Sequence, residues 1–234
     1  MENSTNTHAG LDESIRNKKA LKLLSILEKY VDLKACDLLD IGTGSGHIAH
    51  FLSKKCRSVT SVNLADERVV KEDYHFVKTE DEHLPFPDEK FDVVVSNHVV
   101  EHVNDQTLHI KEIHRVLKKG GHTYLATPNK YALIEPHFHL PFLSWLPRDS
   151  AGRYLKLMKG KVWDVFPLSL GDLKVLTYEA FDLEDLSAEI LKNPKEYNLD
   201  MFTWFQPFLR LMPITFLNSL KPFLPSFIVI LRKK

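Results

Sequence analysis

Three glycines that directly follow a short apolar run constrain this chain more than any other feature of its sequence. They lie in the segment DIGTGSG at residues 40–46, at the end of the run 36–41. An apolar run that ends in a turn signal is typical of a buried parallel strand, and the residues after the glycines have the pattern of a helix. Glycine permits positive φ and close approach to the backbone, while a helix N-terminus offers unpaired N–H groups. The loop therefore predicts a site for a polar ligand.

The spacing of the glycines excludes two common phosphate-binding loops. The dinucleotide fingerprint G-x-G-x-x-G requires a third glycine at position 47, where this chain has His47. A nucleoside-triphosphate loop requires Gly-Lys followed by Ser or Thr, and this segment has none. The ligand is therefore expected to be neither NAD nor a nucleoside triphosphate.

Strand patterns and helix patterns alternate along most of the chain. A first helix is predicted over residues 15–31, and a short helix between residues 64 and 74. Further strands are predicted at 58–64, 74–78, 91–96, 122–127, 181–190 and 225–231. This alternation indicates βαβ units and a sheet covered on both faces. The predicted fold class is α/β, with a Rossmann-like, doubly wound, mostly parallel seven-stranded sheet.

The predicted organisation is one domain over residues 1–234. Residues 1–14 are polar and are expected to form a flexible N-terminus. Residues 129–168, rich in Pro, His and aromatic residues, are expected to form a substrate-side insertion after the fifth strand. Residues 191–224 are expected to form an apolar, proline-broken C-terminal elaboration.

Composition and charge exclude several functional classes. Hydrophobic residues make up 44% and charged residues 26%, as in ordinary globular proteins. Lys plus Arg at 31 balances Asp plus Glu at 31, so no global positive field favours nucleic acid as a partner. The N-terminus lacks the pattern of a secretion signal, and no long uncharged apolar run is present. A cytoplasmic protein that does not span a membrane is expected.

Two more segments extend the argument beyond the glycine loop. They are LPFPDEKFDVVVSNHVVEHV at 84–103 and EIHRVLKKGGHTYLATPN at 112–129. Together with LLDIGTGSG at 38–46, they resemble the class I S-adenosylmethionine-dependent methyltransferases of type 11, in the small-molecule branch that contains quinone-pathway O-methyltransferases. The resemblance implies S-adenosyl-L-methionine as cofactor and methyl transfer to a small or lipid-like acceptor, with O-methylation expected.

The resemblance implies roles for residues around the glycine loop. Asp40 is expected to organise the loop and to reach the cofactor's amino group, directly or through water. Gly42, Gly44 and Gly46 are expected to let the backbone pass beneath the cofactor. Asn63 stands where the family usually has Asp or Glu for the ribose hydroxyls. An amide has one acceptor oxygen and no charge, so weaker hydrogen bonds are expected there unless Asp66 compensates.

Other cofactor contacts are implied farther from the loop. Glu80 and Asp81 precede Leu84, the position from which the family addresses adenine, although both are equally typical of surface acids. Asn97, just after the fourth strand, is expected to flank the methionine moiety. Arg16 resembles the arginine that some relatives direct from an N-terminal helix to the cofactor carboxylate, and an exposed helix arginine is the alternative.

A competing pattern occurs at residues 98–102. The sequence HVVEH matches the H-x-x-E-H pattern of certain zinc peptidases, whose ligands lie on one continuous helix. His98 instead directly follows a predicted strand, so a zinc hydrolase is only the remote alternative. Glu101 and His102 are therefore expected to be mostly structural, and no metal site is expected. His109 and His114, on the next helix, are expected to face solvent. A catalytically silent cofactor-binding or interaction module on the same fold is the other alternative.

The insertion supplies the catalytic candidates. The sequence EPHFH places His137 and His139 beyond the fifth strand, where an open α/β sheet binds its ligands. Either histidine is expected to act as acid or base on an acceptor hydroxyl, the alternative being that both merely occupy a loop.

The C-terminal segment 201–231 is rich in aromatic residues and has basic but no acidic side chains. Its aromatic residues are Phe202, Trp204, Phe205, Phe208, Phe216, Phe223 and Phe227. Such a segment favours either a peripheral contact with an anionic membrane or the wall of a pocket for an apolar acceptor. Ordinary core packing is the alternative. The sequence does not indicate an oligomeric state.

Overall fold

A seven-stranded sheet forms the centre of the computed structural model, which describes residues 13–197 and 206–234. The strands are β1 Asp37–Ile41, β2 Ser58–Asn63, β3 His75–Lys78, β4 Phe91–Asn97, β5 Leu117–Pro128, β6 Phe181–Asp185 and β7 Ser226–Lys233. Their order is β3-β2-β1-β4-β5-β7-β6. Strands β1 to β5 pair in parallel, and β7 is antiparallel to both β5 and β6. The predicted mostly parallel, doubly wound sheet is confirmed.

Helices cover both faces of the sheet. They are α1 Glu13–Leu27, α2 His47–Ser53, α3 Gln106–Val116, α4 Arg148–Lys159, α5 Leu170–Thr177, α6 Ser187–Lys192, α7 Gln206–Leu211 and α8 Ile214–Leu220. Successive strand side chains point to opposite faces. Leu38 and Val93 therefore pack in the core beneath α1 and α2, while Leu39 and Val94 pack in the core beneath α3 and α5. None of the helices in the described ranges is long and apolar enough to cross a bilayer.

The order of the strands determines where a ligand can bind. β1 pairs with β2 on one side and with β4 on the other, so the chain reverses its winding direction between β1 and β4. In open α/β sheets, a crevice forms at the carboxyl ends of the strands at this reversal. The glycine loop after β1 and the turn after β4 both lie at that crevice.

Residues 129–168 have a small core of their own. Phe138, Leu143, Leu155 and Trp163 are buried together there. The first residue, Asn129, is fully buried and donates from Nδ2 to the backbone carbonyls of Pro222 and Leu224. The expected insertion is therefore packed internally and tied to the C-terminal part of the chain.

Two expected elements differ in the structure. Residues 64–74 form bends instead of a short helix, because the backbone N–H groups of Val69 and Val70 donate to the Ser45 carbonyl of the glycine loop. The strand expected over 181–190 ends at Asp185, whose side chain accepts from the Ser187 backbone N–H, and α6 follows. In both places a non-local or capping hydrogen bond replaces the regular ladder.

A charged pair on α3 fixes the proline-flanked loop at residues 84–87. Arg115 donates to the carbonyls of Leu84 (2.8 Å) and Phe86 (2.7 Å). It also forms a two-bond pair with Glu112, at 2.8 and 2.7 Å. Glu112 in turn accepts from the Leu84 backbone N–H at 2.8 Å. The loop is therefore held at three backbone atoms by one ion pair.

We expect Arg115→Met to lower the free energy of unfolding by about 2–4 kcal/mol, because it leaves a buried carboxylate and two carbonyls without their donor. Urea denaturation measures this loss. Arg153→Met, at an exposed position of α4, serves as the control and should change stability by less than about 0.5 kcal/mol. Equal denaturation midpoints for the two variants would show that the pair does not hold the loop.

Candidate functional site

A cavity of about 590 Å³ opens at the carboxyl ends of β1, β2 and β4. This volume is in the range of small-molecule sites. Its walls come from α1, the glycine loop, the ends of β2 and β4, the loop before residue 84 and the insertion. The polar residues in the wall are Arg16, Lys19, Asn63, Glu67, Thr79, Asp81, Glu82, Asn97, His98, His102, Asn104, His109 and His137.

Two of the three loop glycines line the cavity. Gly42 and Gly44 have φ of +73° and +51°, which favour glycine. A Cβ on Gly44 would meet nothing nearer than the Gly42 carbonyl oxygen at 4.0 Å, so the backbone there faces open space that a ligand can fill. For Gly46, the expectation that its backbone passes beneath the cofactor is corrected. This glycine does not line the cavity, and a Cβ there would collide with the Val70 carbonyl oxygen and the Tyr74 hydroxyl, so its role is packing.

Asp40 lies beneath the glycine loop at the end of β1. Only 3% of it is exposed, and Oδ2 has no hydrogen-bond partner among the described residues. Burial raises the pKa of this carboxyl to about 7, since the charged form loses its hydration. Asp40 does not itself line the cavity, but the next two residues, Ile41 and Gly42, do. A buried acceptor beside a cavity is suited to a ligand that brings a positive charge or a donor.

Asn63 lies at the end of β2 and lines the cavity. Its Nδ2 donates to the Ala65 carbonyl at 2.9 Å, which leaves Oδ1 as its acceptor. Asp66 does not compensate for the missing charge, because it pairs with Arg68 at 2.8 Å and with Lys71 at 3.2 Å and does not line the cavity.

The two acids expected on the adenine side are separated by the fold. Asp81 and Leu84 line the cavity, whereas Glu80 is exposed and lies outside its wall. Glu80 is therefore a surface residue, and the expectation that it contacts the cofactor is corrected. Thr79, which precedes both acids, is buried and donates its backbone N–H to the Asn63 carbonyl at 3.0 Å. This contact fixes the backbone from which the two acids extend.

Asn97 and Arg16 both lie in the cavity wall, as the resemblance implies. Asn97 is the last residue of β4, and Arg16 reaches the cavity from α1. Burial lowers the pKa of Arg16. These two residues therefore bring a neutral amide and a cation to the wall of the cavity.

The insertion brings one of its two candidate histidines to the cavity. His137 lines the wall, and its Nδ1 lies 2.9 Å from Oε1 of the buried Glu135. The other Glu135 oxygen accepts from the Phe138 backbone N–H at 2.6 Å. Burial alone lowers the pKa of His137, but the hydrogen bond to Glu135 and the charges of Glu135, Glu101 and Asp164 outweigh it and raise the pKa. His139 is exposed and lies outside the cavity wall, so the expectation of a catalytic role there is corrected.

The HVVEH segment does not form the continuous helix that a zinc peptidase of that pattern requires. His98 has a left-handed φ of +59°, and residues 98–102 form a turn after β4. Glu101 is fully buried, with Oε1 at 3.2 Å from His98 Nδ1 and 3.9 Å from His137 Nε2. The rings of His102 and His137 meet edge to face at 5.1 Å. Glu101 and His102 thus belong to the site, a role that sequence reasoning missed although the HVVEH pattern signalled it.

Two histidines of α3 are not on a solvated face, contrary to expectation. His109 is 4% exposed and lines the cavity, and its Nε2 lies 3.0 Å from the Ser96 hydroxyl. Burial lowers its pKa to about 4, so His109 is neutral at physiological pH. His114 packs edge-on against Phe181 at 5.4 Å. His109 is therefore part of the cavity wall, whereas His114 is half-buried against a neighbouring strand.

We expect Asp40→Asn to raise the melting temperature of the ligand-free protein at pH 8. With a folded pKa of about 7 and an unfolded pKa of about 3.9, the native carboxyl binds more protons between these values, so wild-type stability falls as pH rises from about 4 to 7. The variant lacks this loss. The melting temperature of the variant should exceed that of the wild type by several degrees at pH 8 and by less at pH 5, since about 1 kcal/mol corresponds to roughly 2–4 °C. Asp182→Asn, at an exposed position of β6, is the control, and an equal shift at both pH values would contradict the assignment.

The comparisons with known proteins agree with this geometry. A family model described as a methyltransferase domain matches residues 39–125, from β1 to within β5. A ubiquinone biosynthesis O-methyltransferase of Pelagibacter ubique is 32% identical over 129 residues, which are 49% of this chain and about half (52%) of that relative's length. A demethylmenaquinone methyltransferase of Chlorobaculum tepidum is 30% identical over 192 residues, which are 79% of this chain and 74% of that protein.

A solved structure shares the fold. The YcgJ protein of Bacillus subtilis superimposes with a TM-score of 0.56 at 19% identity, covering 92% of this chain and 97% of that chain. The relative from Chlorobaculum tepidum aligns across most of both chains, and the cavity lies where this fold binds its ligands. The chain belongs to the class I S-adenosylmethionine-dependent methyltransferases.

Proposed function

We propose that this enzyme transfers the methyl group of S-adenosylmethionine to a hydroxyl of a small, apolar acceptor. The observation that carries the proposal is that one cavity is lined by two chemically different sets of residues. The first set is Gly42, Gly44, Asn63 and Asp81, and the second is His137, which the buried Glu135 holds. We assign the first set to a cofactor side and the second set to an acceptor side of this cavity.

The residues of the first side fit the cofactor. Gly44 leaves the backbone open to it, whereas a Cβ on Gly42 would lie 2.5 Å from a Val99 methyl group, so Gly42 allows the loop to pack against Val99. The buried Asp40 oxygen, which has no partner among the described residues, is an acceptor for an ammonium group. Asn63 Oδ1 and Asp81 are acceptors for ribose and adenine, with Asn97 and Arg16 at the methionine end. When bound, S-adenosylmethionine supplies a methyl group already activated by its cationic sulfur.

The protein's own contribution is alignment and the handling of one proton. A hydroxyl becomes a good nucleophile when a positioned group accepts its proton. Glu135 holds His137 by Nδ1 at 2.9 Å, which directs Nε2 away from Glu135 and towards Glu101. The raised pKa of His137, caused by its hydrogen bond to Glu135 and the neighbouring carboxylates, makes this ring a stronger base. We therefore assign His137 to the acceptor hydroxyl and Glu135 to its orientation.

The surface of the insertion supports an apolar acceptor. Leu133, Ile134 and Phe142 are about half exposed, at 47%, 59% and 49%. Trp145 packs edge-on against Phe142 at 5.2 Å and against Tyr131 at 6.1 Å. These side chains belong to the same short insertion that carries His137. An acceptor with a hydrocarbon tail would meet apolar side chains on its way to this histidine. Two relatives, a ubiquinone biosynthesis O-methyltransferase and a demethylmenaquinone methyltransferase, support the same class of acceptor.

A peripheral contact with a membrane surface extends this proposal. On α7, α8 and the residues after them, Phe208, Leu211, Phe216 and Phe223 are exposed, at 58%, 84%, 47% and 51%. Phe202, Trp204 and Phe205 lie outside the described residues. Exposed aromatic side chains beside basic ones suit the boundary of an anionic bilayer, from which an apolar acceptor would be taken.

Cofactor binding is tested by Gly44→Val. We expect this variant to lose most of its affinity for S-adenosylhomocysteine, because the added side chain occupies the open space over the loop and strains a positive φ. Calorimetric titration measures the affinity. Gly120→Val is a matched control, since Gly120 has φ +70° and also faces open space, at the opposite end of the sheet. Equal affinity in both variants, or stabilisation of the wild type by NAD, would contradict the assigned site.

Methyl transfer is tested with an acceptor series. We expect S-adenosylhomocysteine to form with prenylated phenols or hydroquinones and to form more slowly with hydrophilic catechols. His137→Gln should reduce kcat by about 10²–10⁴-fold with little change in S-adenosylhomocysteine affinity. His139→Gln, outside the cavity, should leave kcat unchanged. Tight cofactor binding with no turnover on any fraction of a cell extract would instead indicate a catalytically silent module.

A further inference from the structure

We propose that Glu101, His102 and His137 form a binding site for one divalent transition-metal cation, such as Zn²⁺ or Mn²⁺, at the acceptor side of the cavity. One ligand atom from each residue lies within 4.8 Å of the other two. Ligands of a tetrahedral metal bonded at 2.0–2.1 Å are about 3.3–3.5 Å apart, so binding requires these atoms to approach one another by at most about 1.5 Å. The existence of the site is independent of the proposed function, and only its catalytic use depends on that function.

The arrangement of acceptors calls for a cation. The Glu135 carboxylate accepts at His137 Nδ1, so Nδ1 carries the proton and the neutral ring presents a lone pair at Nε2. That lone pair lies 3.9 Å from the carboxylate oxygen of the fully buried Glu101. His98 Nδ1 lies 3.2 Å from the same Glu101 oxygen, and a positive charge between Glu101 and His137, either a proton or a metal ion, would stabilise the two facing acceptors.

The surrounding groups orient the ligands as in a built metal site. Metal-bound histidines commonly donate their second ring N–H to a carboxylate, which fixes the ring and strengthens the ligand. Glu135 fills this role for His137 and is itself held by the Phe138 backbone N–H. The Thr127 hydroxyl donates to Glu101 Oε2 at 3.2 Å, which leaves Oε1 towards the histidines.

The parts of the chain that supply the ligands are joined by hydrogen bonds. The Phe166 backbone N–H, near the end of the insertion, donates to the Glu101 carbonyl at 2.7 Å. Gln106 donates to the carbonyls of both Val100 and Phe166, at 2.9 and 2.8 Å. The turn that carries Glu101 and His102 is therefore fixed to the insertion that carries His137.

The ligand set indicates the class of metal. Two imidazoles and one carboxylate suit Zn²⁺, Mn²⁺, Fe²⁺ or Co²⁺, whereas Mg²⁺ and Ca²⁺ prefer oxygen ligands. Since His102 and His137 line the cavity, coordination positions beyond the three protein ligands would face the acceptor. A cation there would lower the pKa of an acceptor hydroxyl, with its proton released to solvent. His137 would then serve as a ligand, and the base in the proposed function would be replaced by the metal.

The test is metal titration of the full chain after treatment with a chelator. Calorimetry with ZnCl₂ and MnCl₂ should show one saturable site, and MgCl₂ should bind at least about tenfold more weakly. His137→Gln, His102→Gln and Glu101→Gln should each weaken binding by about 100-fold or more, and Glu135→Gln by about 10–100-fold. His75→Gln, at an exposed position of β3, is the control and should bind as the wild type does.

Retained affinity for S-adenosylhomocysteine shows that each variant is folded. Visible spectra with Co²⁺ give a second measure, since a site built from these ligands should lose its absorption in the His137 variant. Absence of saturable binding, or unchanged affinity in all ligand variants, overturns the metal site. In that case metal-free turnover that depends on His137 leaves the proposed function intact. Failure to bind S-adenosylhomocysteine contradicts the proposed function without affecting the metal titration.

Discussion

The parallel pairing of β1 between β2 and β4 is the constraint on which the rest of the molecule depends. This pairing places the glycine loop, the end of β2 and the turn after β4 around one crevice, although they are distant in the chain. The fully buried valines of β4 and leucines of β1 keep these strands together on both faces. A substitution that weakened this pairing would disassemble the cofactor side of the cavity and displace the HVVEH turn together.

The surroundings of the cavity combine one carboxyl whose burial is unfavourable with one ion pair that fixes a loop. Asp40 is buried with an acceptor that no described residue satisfies, an arrangement that is unfavourable until a ligand arrives. Arg115 and Glu112 instead satisfy each other and the loop at residues 84–87, so Leu84 holds its position in the cavity wall. The site therefore combines a destabilised acceptor with a rigid wall, as expected of a preorganised binding site.

The part of the cavity that we assign to the acceptor is formed by two segments that are distant in the sequence. The turn after β4 belongs to the shared methyltransferase core, whereas Glu135 and His137 come from the insertion with its own small hydrophobic cluster. Hydrogen bonds from Phe166 and Gln106 join the two. In the proposed function, changes in the insertion would alter the acceptor side without disturbing the glycine loop, since one fold can carry sites of different chemistry.

The sequence by itself determined the α/β class, the seven strands, the glycine loop and the family, because these depend on local patterns: alternating apolar runs, glycine spacing and short motifs. The tertiary structure decided which candidates share the cavity. Asp81, Gly44 and His137 line it, while Glu80, Gly46 and His139 do not, although the two members of each pair lie only one or two residues apart. It also brought Glu101 and His102 to His137. Such choices follow from the direction in which a side chain leaves a loop and from contacts between distant segments, and neither is encoded in a local pattern.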